Sequence, residues 1–349
     1  MIHQIELKEF LSKSKNTCVI DVRTPDEFSQ GHIIGAYNLP LFSNEERKLV
    51  GTCYKQEGRE PAILLGFELI GNRWATYIRE AEKLCTEKTP ATPKHIVVHC
   101  WRGGMRSAAM AWALSMYGFN VSVLQGGYKV CRKYYLDILE QRYPILILSG
   151  KTGSAKTKIL LEMQKLGEQV IDLEGLANHQ GSSFGSMGSD YQPSQELFEN
   201  LLANELMKQD VGKNIWLENE SLAIGKIMIP RTLFAQMRSA DIINIELPYT
   251  ERVDFLYEEY GKLDKVFLME SVHRISKRLG PNETKLSLQA IEENRMKDFI
   301  KQVLVYYDKN YQKGKESRVP ETIHPIELNQ IHPHDNAIEI IKLKNKIKL

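Results

Sequence analysis

The stretch HCWRGGMRS (residues 99–107) decides the fold of the first half of the chain. The apolar residues 96–98 before it are typical of a buried strand, and the apolar segment after it is typical of a helix that ends at Gly118. A cysteine between a strand end and a helix N-terminus faces backbone N–H groups and the positive end of the helix dipole. The motif therefore predicts that Cys100 is a nucleophile that faces an anion.

Two arginines in the same loop strengthen this prediction. Arg102 and Arg106 bring fixed positive charges to the surroundings of Cys100. A free thiol is only about 3% ionised at neutral pH, whereas a thiol with a pKa of about 6.5 is mostly thiolate. We therefore assign these three residues as catalytic. The alternative is an unreactive cysteine buried at a strand end.

Length and composition limit the class of protein. A chain of 349 residues is too long for one ordinary core and predicts two domains. With 42% hydrophobic and 26% charged residues, no membrane-length apolar run and no signal-peptide core, it is expected to be a soluble cytoplasmic protein without a membrane segment. Five cysteines without CxxC spacing argue against a disulfide framework and a zinc site. Because the net charge is only +2, any nucleic-acid surface must be a local patch.

Strands and helices alternate through the first half of the chain. Residues 17–22 have a strand pattern, and a short helix follows that begins at Pro25 and ends at Gly31. After the helix that follows Cys100, VSVLQGGY (residues 121–128) predicts a strand that ends in a double-glycine turn. Such alternation predicts a parallel sheet with helices on its faces and reactive groups at the carboxyl ends of its strands.

Three motifs in this half resemble those of a rhodanese domain. They are DVRTPDEFSQGHIIGAYNLP (residues 21–40), the cysteine loop and LQGGY. The resemblance covers residues 1–138 and implies a loop cysteine that carries sulfur or selenium as a persulfide-type adduct, with Asp21 and Arg23 supporting the loop. Sulfur-transferring rhodaneses place the arginine five residues after the cysteine, but Arg106 follows Cys100 by six. The H-C-x5-R-S pattern is also that of dual-specificity phosphatases, so a phosphatase is a rival interpretation.

A charged segment at residues 42–71 has a helical pattern and is longer than a rhodanese needs at this point. It contains Cys53. This thiol is either a redox partner of Cys100 or, as we favour, a structural or incidental cysteine.

The second half opens with PILILSGKTGSAKTKILLEMQKLG (residues 144–167), which has the order strand, glycine loop, Lys-Thr and helix. This order predicts a P-loop whose N–H groups hold a diphosphate, while Lys156 reaches the outer phosphates and Thr157 can hold a magnesium ion. Ala155 replaces the usual glycine before the lysine, and it crowds the loop only slightly if its backbone is helical. A strand–turn–helix corner without a ligand is the alternative. The residues assigned to this site are Gly150, Lys151, Thr152, Gly153, Ser154, Lys156 and Thr157.

Two further segments are assigned to the same site. QVIDLEGLANHQGSSFG (residues 169–185) predicts a strand that leads through Asp172 into a loop suited to lining a ligand site. IWLENES (residues 215–221) predicts a strand that ends in Glu218 and Glu220, where an acidic residue can position magnesium or water. Alternatively, either glutamate is only a solvated charge at the end of the strand. His179 either caps a turn or takes part in the chemistry.

Residues 139–349 are thus expected to form a P-loop NTPase-like α/β domain with a basic C-terminal part. Residues 230–327 are helical by pattern, and the chain ends in IKLKNKIKL. A lysine-bearing helix is usually only a solvated face. Because basic residues recur in the domain that holds the P-loop, we expect Arg274, Lys277 and Arg278 to contact nucleic-acid phosphates.

The order HCWRGGMRS, GxTGxxKT, D-LEGLANHxGSSFG and WLENES resembles the tRNA 2-selenouridine synthase family over essentially the whole chain. The resemblance implies a transferase that geranylates the sulfur of 2-thiouridine at the tRNA wobble position and then replaces this sulfur with selenium. Geranyl diphosphate and selenophosphate are the implied substrates. The tRNA anticodon region is the implied partner, and a selenophosphate-producing enzyme is a candidate second one.

The residues leave several assignments open. The P-loop holds either the diphosphate of geranyl diphosphate or an ATP-like nucleotide, and Cys100 attacks selenophosphate or receives selenium from it to become a selenium-loaded cysteine. Rival functions are a rhodanese-fold phosphatase or sulfurtransferase fused to a P-loop kinase-like domain, a P-loop kinase with an inactive rhodanese adaptor, and a non-catalytic tRNA-binding module.

Overall fold

A computed structural model of the chain describes residues 2–14, 17–89, 94–179, 191–261, 263–316 and 318–347. The chain divides into two compact units. The first contains Met1–Ile138 and Pro193–Asn204, and the second contains Leu139–Gln192 and Glu205–Leu349. The first unit therefore includes one segment that lies far along the sequence, in the half assigned to the P-loop domain.

The first unit is built on a parallel sheet. Its strands are β1 (Ile2–Ile5), β2 (Cys18–Asp21), β3 (Tyr37–Asn38), β4 (His95–His99) and β5 (Asn120–Leu124). Within the described residues the strand order is β1-β5-β4-β2-β3, and every neighbouring pair is parallel. The helices are α1 (Leu7–Lys13), α2 (Pro25–Gln30), α3 (Asn44–Gln56), α4 (Arg59–Ile70), α5 (Trp74–Lys88), α6 (Met105–Met116) and α7 (Gly127–Leu139).

Local sequence signals explain where these elements begin and end. Thr24 and Ser43 form capping boxes at the starts of α2 and α3, each with the glutamate three residues later. All residues of β2 are buried, because this strand lies inside the sheet with helices over both faces. In the parallel register Asp21 lies opposite His99, so the residues after β2 and β4 meet at one edge of the sheet.

The second unit contains another parallel sheet and a separate antiparallel pair of short strands. The strands of the parallel sheet are β6 (Ile145–Gly150), β7 (Gln169–Val170), β8 (Ile215–Glu218), β11 (Asp241–Glu246) and β12 (Ile323–Glu327). The antiparallel pair is β9 (Ala223–Ile224) and β10 (Ile227–Met228). The main sheet of the unit has the order β12-β11-β6-β8-β7 in the described chain. The remaining helices of the chain are α8 (Lys156–Lys165), α9 (Leu173–Leu176), α10 (Gln195–Leu206), α11 (Arg231–Ser239), α12 (Tyr249–Tyr260), α13 (Lys265–Leu279), α14 (Pro281–Glu292), α15 (Met296–Glu316) and α16 (Pro333–Ile347).

The predicted fold class is confirmed, with one correction in residues 230–327. This region is largely helical, and α12–α15 share an apolar core of their own. It also contains β11 and β12, which pair with each other in the main sheet. A short apolar run such as that of β11 does not distinguish a strand from a buried helix, so the helical prediction was wrong there.

The lysine-rich end of the chain forms α16, whose apolar side chains are not exposed. Ala337 and Ile340 are buried in the same core as Ile159 and Met163 of α8. The alternation of lysine with apolar residues therefore reflects a helix with one buried face. Among the described helices, none combines the length and the apolar character that a membrane crossing requires.

Most of α10 packs in the first unit, as part of Pro193–Asn204. Asn200 is fully buried, and its side-chain amide donates to the carbonyl of His32 at 3.0 Å and to the hydroxyl of Tyr128 at 2.7 Å. Arg132 in turn donates to Asn200 Oδ1 at 2.8 Å. Nothing in the local sequence predicts this placement, because it depends on contacts between residues far apart in the chain.

Candidate functional site

The Cys100 loop has the predicted geometry, between β4 and α6. The Cys100 thiol accepts a hydrogen bond from the Gly104 amide at 3.2 Å and lies 3.3 Å from the Ser107 hydroxyl. The residue is only 4% exposed, yet it lines a cavity of about 910 Å³. The sulfur is thus held by polar groups at the border of an open space.

The double-glycine turn after β5 shapes this loop. The carbonyls of Cys100 and Trp101 accept from the amides of Tyr128 and Lys129 at 2.9 and 3.0 Å. Gly127 has a φ of +60°, and a Cβ there would lie 2.3 Å from the Cys100 carbonyl oxygen. Only glycine permits this close approach, which fixes the loop carbonyls away from the thiol.

The surroundings of Cys100 favour its ionised form. Burial raises the pKa of this thiol, but the Ser107 hydroxyl and amide, the Arg102 amide and the charge of Arg106 together lower it below its ordinary value. Cys100 therefore ionises more readily than an ordinary thiol, which favours a role as a nucleophile.

The two predicted arginines have different environments. Arg106 is held by Glu27, whose carboxylate oxygens lie 2.5 and 3.0 Å from its guanidinium nitrogens. Its charge is thus already matched in part, and its position is fixed. Arg102 is exposed and makes no ion pair within the described residues. Of the two, Arg102 has the charge that is available to an incoming anion.

Asp21 and Arg23 form a buried ion pair of 2.6 Å below the loop. The Arg23 guanidinium also donates to the Gly31 carbonyl at 2.7 Å and lies 3.9 Å from the ring centre of Tyr128. Because Tyr128 holds the Cys100 carbonyl, this pair supports the loop from beneath. Cys53 is buried in α3 and is absent from the lining of the Cys100 cavity, and all five cysteines are free thiols.

The predicted P-loop joins β6 to α8. A residue outside the loop stabilises its main chain. Arg252 donates to the Thr152 carbonyl at 3.1 Å and forms a two-point ion pair with Asp308. A Cβ at Gly153 would lie 2.9 Å from the Arg252 carbonyl oxygen. This crowding accounts for the glycine at that position.

Ala155 does not have the right-handed helical backbone that was expected. Its φ of 55° and ψ of 26° lie in the left-handed region. Glycine enters that region without a penalty, whereas an alanine methyl costs about 1–2 kcal/mol there. The preference for glycine at this position of the P-loop pattern thus has a backbone cause.

The Lys-Thr pair of the P-loop contacts Glu218 at the end of β8. Lys156 Nζ lies 3.3 Å from one carboxylate oxygen of Glu218, and the Thr157 hydroxyl donates to the other at 3.0 Å. Burial lowers the pKa of Lys156, but the charges of Glu218, Glu220 and Glu174 raise it above its ordinary value. Lys156 is therefore a partly exposed cation that can meet an anionic ligand.

Three carboxylates gather beside Lys156. Oxygens of Glu174, Glu218 and Glu220 all lie within 4.8 Å of one another. Burial and then the charge of Glu218 raise the pKa of Glu174 to about 9 and that of Glu220 to about 7. Carboxylate and hydroxyl oxygens are ligands that Mg²⁺ prefers, so this set, with Thr157, fits a magnesium ion next to a diphosphate.

Asp172 has another role than the one predicted. Its carboxylate caps α9 by accepting from the Gly175 amide at 2.8 Å, and it does not line the P-loop cavity. Glu174, two residues later, takes the place beside Glu218 and Glu220. Residues 180–185 of the predicted ligand loop lie outside the described residues.

The P-loop cavity has a volume of about 780 Å³ and a lining of mixed chemistry. The loop residues, Lys156 and the three glutamates form its polar part. The lining also contains the charged residues Lys158, Arg238 and Glu259 and the apolar and aromatic residues Leu222, Phe234, Phe255, Tyr260, Tyr307 and Tyr311. Such a lining can contact both the phosphates and an apolar part of a ligand.

Comparison with known protein families matches both halves. A model described as the tRNA 2-selenouridine synthase AAA domain matches residues 143–332, more than half of the chain. The chain belongs to the tRNA 2-selenouridine synthase family. A rhodanese-like domain model matches residues 4–133, which confirms the resemblance of the first half.

Curated members of the tRNA 2-selenouridine synthase family match nearly the full chain. The protein of that name from Shewanella frigidimarina is 34% identical over 91% of this chain and 94% of its own. That from Hydrogenovibrio crunogenus is 36% identical over 85% and 89%. A solved N-terminal domain of a putative ATP/GTP binding protein from Clostridium difficile is 38% identical over 38% of this chain and 98% of its own, with a TM-score of 0.35.

The basic residues that are expected to contact RNA lie on a helix. Arg274, Lys277 and Arg278 are exposed on α13, at a spacing that places them on one helix face. Arg274 also donates to the Ser271 hydroxyl and lies 5.5 Å from the ring centre of Phe267. His179 has this arginine among its electrostatic neighbours, and burial and then the Arg274 charge lower its pKa.

Ala155→Gly is expected to stabilise the second unit by about 1 kcal/mol. Relief of the left-handed strain gains about 1–2 kcal/mol, and the added freedom of the unfolded chain costs roughly 0.5–1 kcal/mol. Urea unfolding of the full chain measures the difference. Ala235→Gly in the exposed interior of α11 is the matched control, and it should be destabilising by about 1 kcal/mol. An equal loss of unfolding free energy in both variants would contradict the backbone strain at Ala155.

Proposed function

We propose that this member of the tRNA 2-selenouridine synthase family geranylates the sulfur of 2-thiouridine at the tRNA wobble position and then exchanges it for selenium from selenophosphate. One observation carries the proposal. A single chain combines an amide-lined thiol at one cavity with a P-loop cavity whose lining includes aromatic side chains. Each cavity has the chemistry of one of the two reactions.

Geranylation is assigned to the P-loop cavity. The sulfur of the base attacks C1 of the geranyl group, the C1–O bond breaks, diphosphate leaves with the electron pair, and the base loses its N3 proton. Loop amides and Lys156 stabilise the charge that develops on the diphosphate. The aromatic residues in the lining are proposed to accommodate the geranyl chain, which favours geranyl diphosphate over an ATP-like nucleotide as the ligand.

Selenium transfer is assigned to Cys100. Attack of the thiolate on selenium would force phosphorus to leave with an electron pair, whereas attack on phosphorus releases selenide without any change of oxidation state. We therefore favour transfer of the phosphoryl group to Cys100 and then to water, in place of a selenium-loaded cysteine. The released selenide adds to C2 of the base, and geranyl thiolate leaves, which alkylation makes possible because a free sulfide is a poor leaving group.

The proposed partners are tRNA, through its anticodon region, and a selenophosphate-producing enzyme. The exposed residues Arg274, Lys277 and Arg278 are proposed to contact tRNA phosphates. Five free thiols are in keeping with a reducing cytoplasm, where this tRNA chemistry would take place.

Mass analysis of tRNA nucleosides tests the proposal. The full chain is incubated with thiolated tRNA and with geranyl diphosphate, selenophosphate, or both. We expect geranylthiouridine with the first, unchanged 2-thiouridine with the second, and 2-selenouridine only with both. Selenouridine formed at full rate without geranyl diphosphate would contradict the two-step order. Release of phosphate from an aryl phosphate without formation of any 2-selenouridine under these conditions would instead favour the phosphatase that the H-C-x5-R-S spacing permits.

A further inference from the structure

A basic helix lines the cavity of the Cys100 thiol. α3, from the segment that is longer than a rhodanese needs, contributes Arg47, Lys48 and Lys55 to the lining. These side chains form no ion pair within the described residues, and neither does Arg102 on the thiol loop. Unpaired cations at a cavity wall are typical of a site that receives a polyanion.

The acidic residues of the same cavity offset this charge only in part. Glu27 is already held by the guanidinium of Arg106, and Glu196, which accepts from the Tyr128 hydroxyl at 2.6 Å, is one negative charge against four cations that are unpaired within the described residues. Lys48 and Lys55 are separated by about 10 Å along the helix axis, at 1.5 Å for each residue. One small anion at the thiol cannot contact both, whereas a nucleic-acid strand presents several phosphates over that length.

Two exposed aromatic side chains lie among these cations. Trp101 is 36% exposed and Tyr54 is 50% exposed, and both line the cavity. Stacking on aromatic rings is how proteins hold unpaired bases. The Trp101 ring is supported by Tyr128, with ring centres 5.6 Å apart, and it directly follows Cys100 in the chain. A base stacked on Trp101 would therefore lie beside the thiol.

We propose that α3 and Trp101 form a surface for a single-stranded RNA loop, in which Arg47, Lys48 and Lys55 hold phosphates and Trp101 stacks the reacting base next to Cys100. This surface rests on the proposed function, since it presumes tRNA as the substrate. It assigns a role to the extra segment between β3 and β4.

Binding of a synthetic anticodon stem-loop RNA with 2-thiouridine at the wobble position tests the surface. In the full chain, Lys48→Glu with Lys55→Glu should raise the Kd at least about 30-fold at 0.1 M salt and reduce the salt slope by about 2. The matched control is Arg79→Glu with Lys83→Glu, an exposed pair on α5 away from the cavity. We expect it to change the Kd less than about 3-fold.

The stacking role has its own variants and its own readout. Trp101→Ala should weaken binding about 10-fold, and Trp101→Phe should restore most of the affinity. Near-ultraviolet irradiation of the 2-thiouridine complex should cross-link the base to the peptide that contains Trp101. An unchanged thermal unfolding midpoint in each variant, followed by circular dichroism, shows that the fold is intact.

The outcomes separate this surface from the proposed function. If the unmodified chain binds no stem-loop RNA, the proposed function itself fails. If it binds RNA but the Lys48/Lys55 variant binds equally well, or the cross-link maps only to α13, the α3 surface is refuted and the proposed function stands.

Discussion

Cys100→Ala is expected to abolish formation of 2-selenouridine, by at least about 1,000-fold, while geranylation of the tRNA continues. In the proposed mechanism the thiolate is the nucleophile that attacks selenophosphate, and this substitution removes it. Because the thiol takes no part in the attack of the base sulfur on geranyl diphosphate, geranylthiouridine should accumulate. Quantitative mass analysis of the nucleosides measures both products in one sample.

Cys53→Ala is the matched control for this variant. Cys53 is buried in α3 without lining the cavity, so selenation should remain within about 2-fold of the unmodified chain. A loss comparable to that of Cys100→Ala would restore the redox-partner interpretation of Cys53. Normal selenation by Cys100→Ala would remove the cysteine from the mechanism.

Lys156→Ala is expected to slow geranylation about 100- to 1,000-fold and to weaken the binding of geranyl diphosphate. Removal of one preorganised donor to a developing anion has this order of effect. The substitution also leaves Glu174, Glu218 and Glu220 without the cation among them, which adds repulsion of the diphosphate. Calorimetric titration with geranyl diphosphate and single-turnover rates of geranylation separate binding from chemistry.

Lys165→Ala provides the comparison for this lysine. Lys165 lies in the last turn of α8, and its one ion pair among the described residues is with Glu162 at 2.6 Å. Its loss should leave both binding and rate within about 2-fold. If Lys156→Ala retains full affinity for geranyl diphosphate, this ligand binds elsewhere, and the P-loop is free for a nucleotide.

The local parts of both sites could be predicted from the sequence because local signals encode them. An apolar strand, a glycine-rich turn and an amphipathic helix follow one another around Cys100 and around Lys156, and each signal acts over a few residues. The carboxyl ends of parallel strands then bring Glu218 to the P-loop, as expected.

Contacts between distant residues could not be predicted in this way. Arg106 is matched by Glu27, 79 residues earlier, and no local pattern reports such a pair. The choice of Glu174 over Asp172 depends on which side of one helical turn faces the cavity. The left-handed backbone of Ala155 contradicts the expected helical backbone. The signal that could have revealed it is the P-loop pattern, which has glycine at that position.

The placement of Pro193–Asn204 has a consequence for the ancestry of the chain. The rhodanese-like module is completed by a helix that is encoded downstream of the P-loop. A crossover between genes at the boundary near residue 138 would leave Tyr128 and Arg132 of the resulting hybrid without their helix partners. The two modules are therefore expected to be inherited as one piece, and shuffling them separately would be selected against.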